Sequence, residues 1–175
     1  MAYSAPPNFT TGQVVTESDM DTLSDDISFL ASPPRCRIYN SAAISVANAS
    51  VQALTFNSET FDTDTMHSTA VNTSRITFTT AGTYLVGGGI AFAAAAGGTR
   101  RAGIIRLGGA TVLKQAEIRP SVGTTYVPVP SELYSFTAGQ YVELCAYQDS
   151  GAALDVDPSA GGYSPVFWAT LIAVA

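Results

Sequence analysis

Charged residues are scarce in this chain of 175 residues, making up 13% of it against about a quarter in an ordinary soluble domain. Bases are scarcer than acids, with eight Lys and Arg against fourteen Asp and Glu, so the net charge is -6. A nucleic-acid-binding protein needs a basic surface to displace counterions from phosphates. The deficit therefore argues against nucleic acid as a partner. A neutral surface rich in Ser, Thr, Gly and Ala suits a protein that packs against copies of itself or against another protein.

Cysteine and histidine are nearly absent. Cys36 and Cys145 are too few and too far apart for a disulfide framework or a zinc site. They pair only if the fold brings their Cα atoms within about 7 Å, and two buried free thiols are the favoured interpretation. His67 is the single histidine, so any Ser-His-Asp or Cys-His device must use it. We interpret it as a surface residue of a loop, and we expect neither enzymatic activity nor a cofactor.

Two kinds of apolar segment are also missing. The opening Met-Ala-Tyr-Ser-Ala-Pro-Pro lacks the basic and apolar regions of a secretory signal, so we expect the chain not to use that route. A charge-free run over residues 76–99 is long enough to span a bilayer but holds five Thr and six Gly. That composition predicts strands broken by glycine, with no membrane insertion. The run Gly87-Gly88-Gly89 lacks the lysine of a phosphate loop and indicates close backbone approach.

The acidity that is present belongs to the N-terminal arm. Residues 1–34 hold five acids and no base, and the rest of the chain holds nine acids and eight bases. This asymmetry predicts an anchoring arm over residues 1–34 and a nearly neutral domain over residues 35–175. After an extended opening, Thr16 and Asp19 form a capping box that begins a helix over about residues 17–30. Pro33 and Pro34 end it.

The predicted helix carries one apolar stripe at the a and d positions of two heptads: Met20, Leu23, Ile27 and Leu30. Two interpretations stay open. The stripe either contacts another molecule, by joining identical chains or by docking onto a larger assembly, or it lies on the helix's own domain. Helices of this length are marginal alone, and five acids repel one another around a symmetric bundle. We favour docking, with contacts between copies as a supplement.

From Arg35 onward the pattern is that of many short strands without helices between them. Candidate strands cover residues 36–40, 43–46, 51–56, 75–79, 83–92, 101–107, 111–118, 125–129, 132–135, 140–147 and 166–174. Turn signals separate them at Asn57-Ser58, Ala81-Gly82, Gly97-Gly98, Gly108-Gly109, Ala138-Gly139 and Gly161-Gly162. Such a pattern predicts an all-β sandwich, jelly roll or barrel.

The final strand is apolar on both faces, from Val166 to Val174. A strand buried on both sides is not an exposed sheet edge. In a two-sheet fold one face meets the opposite sheet, so the other face must meet something else, most simply a neighbouring copy. Candidate residues for the core and the interface are Tyr84, Val86, Phe167, Trp168 and Leu171.

Residues 36–174 resemble the globular head of complement component one, subcomponent q, and the related tumour necrosis factor family. The matching residues are Phe56, Asp62, Ile76, Gly82, Tyr84 and Val86, then Leu133, Phe136, Gly139, Val142 and Leu144, and finally Phe167, Ala169 and Leu171. His67 departs from the family pattern, and so does Gln140, which replaces an acid. The resemblance implies a jelly-roll β-sandwich that forms a homotrimer.

The arm resembles the openings of small tailed-bacteriophage virion proteins. The residues that carry this likeness are Ala5-Pro6-Pro7, Phe9, Gly12, Val14-Val15-Thr16, Met20, Leu23, Phe29-Leu30 and Pro33-Pro34. The likeness implies a capsid, neck or tail protein of the same virion as partner. It places the chain on the surface of an extracellular particle, where a secretory signal is not needed.

Several residues are candidates for ligand binding, each with a plainer alternative. Tyr163 lies on a glycine-rich loop and offers a large contact area, while Arg100 and Arg101 form a small basic pair at a turn. Solvated loops are the plainer interpretation of all three. Two Asp-x-Asp pairs supply oxygens suited to calcium, but neither has the spacing of a calcium loop: Asp62 with Asp64, and Asp155 with Asp157.

Taken together, these observations predict a non-enzymatic structural protein of a bacteriophage virion. It would be a homotrimeric capsid decoration, head-fibre or tail-associated protein, anchored by its arm, with the jelly roll projecting outward and able to adhere to a host cell-surface glycan. The alternative is a soluble trimeric, lectin-like module of cellular origin that binds glycans or proteins.

Overall fold

The computed structural model describes residues 4–107, 111–120, 123–157 and 165–175. They form one helix and twelve strands: α1 (Glu17–Ala31), β1 (Arg35–Tyr39), β2 (Ile44–Val46), β3 (Gln52–Ala53), β4 (Ser58–Asp62), β5 (Arg75–Thr77), β6 (Gly82–Phe92), β7 (Arg100–Leu107), β8 (Thr111–Ile118), β9 (Thr125–Phe136), β10 (Tyr141–Gln148), β11 (Leu154–Val156) and β12 (Val166–Val174).

The strands form two antiparallel sheets. The larger has seven strands in the order β2-β11-β6-β12-β1-β4, with β9 also paired to β6. The smaller has five strands in the order β3-β10-β7-β8, with β5 paired to β10. The predicted jelly-roll sandwich, preceded by an extended arm and one short helix, is confirmed.

Strand β12 occupies the interior of the larger sheet. It pairs with β1 along one side and with β6 along the other. Its burial alternates, since Phe167, Ala169 and Leu171 face the core while the residues between them are partly exposed. The prediction that this strand is not an edge is therefore confirmed.

The core between the sheets is dominated by aromatic rings. Phe78 stacks on Phe136 with a centroid distance of 3.8 Å and lies 4.6 Å from Tyr84. Phe56 stacks on Phe167 at 5.9 Å. Tyr84, Phe136 and Phe167 belong to β6, β9 and β12 of the larger sheet, whereas Phe56 follows β3 and Phe78 follows β5 of the smaller one, so the rings join the two sheets.

Helix α1 begins as its sequence predicts. The Thr16 hydroxyl accepts a hydrogen bond from the Asp19 backbone N–H at 3.2 Å, and the Asp19 carboxylate accepts one from the Thr16 N–H at 2.9 Å. The Thr16 hydroxyl also donates to the Asp19 carboxylate at 2.7 Å, and this bond, together with the one from the Thr16 N–H, lowers the pKa of Asp19. Near the other end Phe29 is buried and belongs to the core. The helix is thus held to the domain mainly by its last turn, and the boundary after residue 34 stays a prediction.

Four details of the predicted strands are corrected. Asn57-Ser58 is not a turn, because Ser58 begins β4, a polar strand that pairs with β1 and lacks apolar alternation. The short strand β11 was not predicted. Of the predicted strand 51–56, only Gln52 and Ala53 form a strand, β3. The two predicted strands 125–129 and 132–135 form a single strand, β9, because a register shift lets it continue past its prolines.

Within the described residues, α1 is neither long nor apolar enough to cross a bilayer.

Candidate functional site

The outward face of the seven-stranded sheet is the candidate site. Residues directly opposite each other on paired strands point to the same side of a sheet. Three such rows face outward: Phe61–Arg37–Trp168–Gly87, Tyr39–Val166–Gly89–Pro128, and Arg35–Thr170–Leu85–Leu133. We call these rows, with Tyr126 and Ile172 beside them, the outer face.

The outer face is apolar and solvent-exposed. Leu133 is 57% exposed, Ile172 58% and Tyr126 48%. Their neighbours along the strands, such as Val127 and Leu171, are buried in the core. Contiguous exposed apolar residues of this kind mark interaction surfaces.

Glycines shape the middle of this face. A Cβ atom added to Gly87 would lie 2.5 Å from Cζ2 of Trp168, so only glycine lets the indole approach the backbone of β6 this closely. This confirms the predicted close backbone approach. Beside it, Gly89, Tyr126, Pro128 and Trp168 contribute to an apolar groove of about 620 Å³.

The three rows contain only two charged residues, Arg35 and Arg37. The Arg37 guanidinium donates a hydrogen bond to the Thr60 hydroxyl at 2.8 Å, and that of Arg35 lies 5.3 Å from the centroid of the Phe61 ring. Among the described residues neither arginine forms an ion pair. The three rows thus carry positive charge at one margin, and the carboxylate of the exposed Asp155 lies beyond them on β11 of the same sheet.

The five predicted core and interface residues divide into two groups. Tyr84, Val86, Phe167 and Leu171 are buried in the core. Trp168 is only partly buried and points outward beside Arg37. Trp168 is therefore the member of the set that can contact a neighbouring molecule.

The helix stripe is left largely uncovered. Met20, Ile27 and Leu30 are exposed, and Leu23 is partly buried. Phe29, one residue off the stripe, makes the contact with the core instead. The structure therefore leaves the stripe available for another molecule.

The predicted basic pair is corrected for Arg100. Its side chain is fully buried, and it donates hydrogen bonds to the carbonyls of Thr99 and Ala95, both at 3.1 Å. Burial lowers the pKa of Arg100, and the carboxylate of Asp149 opposes that shift. The interpretation as an exposed turn is wrong because β7 begins at Arg100 and directs it inward. The side chain holds the β6–β7 loop together.

Arg101 lies on the surface but is already paired. Its guanidinium donates two hydrogen bonds to the Glu117 carboxylate, at 3.0 and 2.8 Å, and lies 4.7 Å from the Tyr147 ring centroid. The third ligand candidate, Tyr163, lies outside the described residues.

The expected surface position of His67 is wrong. Its side chain is fully buried, with Nδ1 2.8 Å from the Glu59 carboxylate and Nε2 3.3 Å from the Thr73 carbonyl. Its ring also meets Phe56 edge-on. Neither ring partner is a hydroxyl or thiol that the histidine could activate, and the histidine fixes its loop against β4.

The first calcium candidate pair is engaged within the protein. Asp62 accepts hydrogen bonds from the backbone N–H groups of Asp64 at 3.1 Å and His67 at 2.8 Å. Asp64 accepts hydrogen bonds from the hydroxyls of Thr79 and Thr80. These carboxylates organise the loop after β4, an explanation that does not require a metal.

The second candidate pair lies elsewhere. Asp155 is on β11, with β6, β12 and β1 between that strand and β4, and Asp157 follows it. The structure therefore does not bring the two pairs together. Among the described residues, no group of three His, Cys, Asp or Glu side chains is arranged to hold a metal ion.

Both cysteines are buried thiols that form no disulfide, as favoured from the sequence. Cys36 is on β1 of the larger sheet and Cys145 on β10 of the smaller one. Burial raises the pKa of the Cys36 thiol, and the nearby carboxylates of Asp62 and Glu59 raise it further.

Sequence reasoning missed much of the outer face. Tyr39, Phe61, Tyr126, Leu133 and Ile172 were not among the candidates. The sequence did contain a signal for Tyr126: neighbouring residues of a strand face opposite sides, so with Val127 in the core Tyr126 must face outward. The signal for Phe61 was absent, because β4 could not be recognised as a strand.

Comparison with solved structures shows the fold. The globular domain of zebrafish complement 1qA protein superposes with a TM-score of 0.56 at 14% identity, covering 81% of this chain and 99% of that one. Murine APRIL gives 0.58 at 10% identity, covering 79% and 98%. Eiger tumour necrosis factor from S. frugiperda gives 0.58 at 12% identity, covering 81% and 95%. No protein-family model matches the sequence, and the search of curated proteins finds no significant match.

Proposed function

We propose that the protein is a non-enzymatic structural component of a bacteriophage virion. Three copies associate through their jelly-roll domains, the N-terminal arm anchors them to a capsid, neck or tail protein, and the heads project from the particle surface. The single observation that carries self-association is the apolar outer face, which one chain leaves exposed.

Burial of that face supports association energetically. Each large apolar side chain removed from water contributes about 1.5–3 kcal/mol. Leu133, Tyr126 and Ile172 are each about half exposed or more, so each retains much of that contribution for an interface. Three as the number of copies comes from the resemblance to the complement and tumour necrosis factor heads. The mass in solution should therefore be about three times the 18.2 kDa of the chain.

Two observations support a structural role over catalysis. His67, on which any histidine-dependent nucleophile would rely, is buried and held by Glu59 and by the Thr73 carbonyl. The buried thiol of Cys36, with its raised pKa, is the opposite of an activated nucleophile.

We propose that the arm, residues 1–34, attaches the protein to the particle. Its opening resembles those of virion proteins, its five acids have no base among them, and residues such as Phe9, Val14 and Val15 are exposed. These exposed apolar residues all precede Thr16, in a segment without charged side chains, and fit an apolar recess on a capsid, neck or tail protein.

Removing residues 1–15 is expected to abolish incorporation into particles while the heads still associate. The truncation ends before Thr16, so it keeps the helix cap and leaves Phe29 in the core. Purified particles would be analysed by mass spectrometry, and the truncated protein by light scattering. The intact chain should be found in particles. If it is absent from them, or if the truncated chain is incorporated equally, the virion assignment is wrong.

The alternative is a soluble module that binds a glycan or a protein. The apolar groove beside Trp168 and Tyr126 favours it, since aromatic rings with polar edges are common in recognition sites. A glycan array probed with the intact chain tests this alternative. Binding that survives removal of residues 1–15, in a chain absent from particles, would support it over the virion role.

A further inference from the structure

The apolar stripe of α1 is exposed although the helix is anchored at its end. Ile27 is 66% exposed, Leu30 70% and Met20 57%, with Leu23 partly buried beside them. A helix that lay on its own domain would bury such a stripe. Here Phe29 makes the contact with the domain, and the stripe faces away from it.

The five acids of α1 are spread around the helix, and two of them lie opposite the stripe. Asp19 is tied to Thr16 by the helix cap, and Asp26 is buried with its Oδ1 accepting a hydrogen bond from the Ser4 N–H at 3.1 Å. At 3.6 residues per turn, Asp21 and Asp25 fall on the side of the helix opposite Ile27. Asp21 and Asp25 therefore do not repel one another across the stripe, whereas Glu17 and Asp19, at the e and g positions, flank its first turn.

The stripe continues into the outer face. Leu30 and Pro33 line a groove of about 420 Å³ together with Ile172 and Val174 from the end of β12. All residues that line this groove are apolar. Leu30 belongs to the stripe and Ile172 to the outer face, so one apolar surface runs from the helix to the sheet. Whatever covers the outer face is in position to cover the stripe as well.

We propose that the α1 stripe packs against the α1 stripes of sister copies, as a short parallel helix bundle beneath the associated heads. The inference rests on the proposed self-association of the heads. Two heptads do not associate stably alone, but heads that already hold the helices together raise their effective concentration. The outward acids Asp21 and Asp25 and the residues before Thr16 are then the parts left for anchoring.

A cysteine at position 27 tests the proposal directly. Cys36 and Cys145 are both buried, so oxidation of the Ile27→Cys variant acts on the new, exposed thiol. If the stripes meet, mild oxidation of the intact chain should link copies in pairs, because a disulfide needs Cβ atoms about 3.5–4.5 Å apart. Val71→Cys is the matched control, since Val71 is also 66% exposed but lies on the loop before β5. Linking no greater than in the control overturns the proposal.

A charge in the stripe provides the second measurement. Ile27→Asp should raise the dissociation constant of the assembly about tenfold or more, equivalent to about 1.4 kcal/mol, while Val71→Asp leaves it unchanged. Neither residue is in the core, so both variants should keep the head folded. If the unaltered chain is associated but Ile27→Asp has no effect, the helix bundle is wrong and the head interface stands. If the unaltered chain is a monomer, both are wrong.

Discussion

Replacing Leu133 by lysine is expected to separate the associated protein into folded monomers. Leu133 is among the more exposed residues of the outer face, in the same row as Arg35. The substitution removes about 1.5–3 kcal/mol of apolar burial per copy. It also places a desolvated charge on a face whose three rows already carry positive charge and no carboxylate. Because each 1.4 kcal/mol is tenfold in affinity, we expect a loss of about 100-fold or more.

The measurement is sedimentation or light scattering over a dilution series. Circular dichroism should show an unchanged β-sheet signal, because Leu133 is not part of the core. Val71→Lys is the matched control, an equally apolar and exposed position outside the outer face. An unchanged assembly mass for Leu133→Lys at every dilution would show that copies do not meet through this face.

The quaternary hypothesis was accessible from the sequence because of β12. A strand with one solvent-exposed face alternates apolar and polar residues, whereas the run from Val166 to Val174 is apolar on both faces. The run did not reveal which residues face which way. Phe167 and Trp168 are equally apolar, so the sequence could not show which of them faces the core. In the structure Phe167, opposite Gly88, is buried, and Trp168, opposite Gly87, faces outward.

The positions of polar residues were least predictable. Arg100 and His67 were both placed on the surface, since buried charged or polar groups are uncommon. The structure buries them because nearby segments fold back to supply hydrogen-bond partners: Glu59, eight residues before His67, and the loop carbonyl of Ala95, five residues before Arg100. Such partners leave no periodic pattern in a single sequence.

The helix illustrates the reverse case, in which local signals were sufficient. The Thr16 and Asp19 cap, the apolar spacing and the two prolines predicted its start and end within one residue. Its role was not fixed by the same signals, since the stripe suits either a partner or the domain itself. The structure shows that Phe29 rather than the stripe packs in the core, and docking of the stripe onto a partner stays a prediction.

Alkaline pH is expected to destabilise the fold steeply, through two buried groups. Burial raises the pKa of Cys36 above its ordinary 9.0 and that of Tyr84 above its ordinary 10.0, with Asp64 adding to the shift of Tyr84. Both groups stay neutral in the folded state after they ionise in the unfolded chain. Their stabilisation is complete below pH 9 and is lost as the pH rises. For each group, the free energy of unfolding falls by about 1.4 kcal/mol for every pH unit above the pKa of that group in the unfolded chain. The two groups together therefore lower it by about 4 kcal/mol at about pH 11.

Denaturant unfolding at several pH values, compared between variants, separates these contributions. Tyr84→Phe loses the hydrogen bond from the hydroxyl to the Thr80 carbonyl at 2.8 Å, so it should be less stable at neutral pH by about 1 kcal/mol. Above about pH 10 its free energy of unfolding should fall less steeply than that of the unaltered protein, by about 1.4 kcal/mol per unit. Cys36→Ala should flatten the dependence from about pH 9 in the same way. Parallel curves for Tyr84→Phe and the unaltered protein would mean that Tyr84 ionises as readily in the folded state as in the unfolded one.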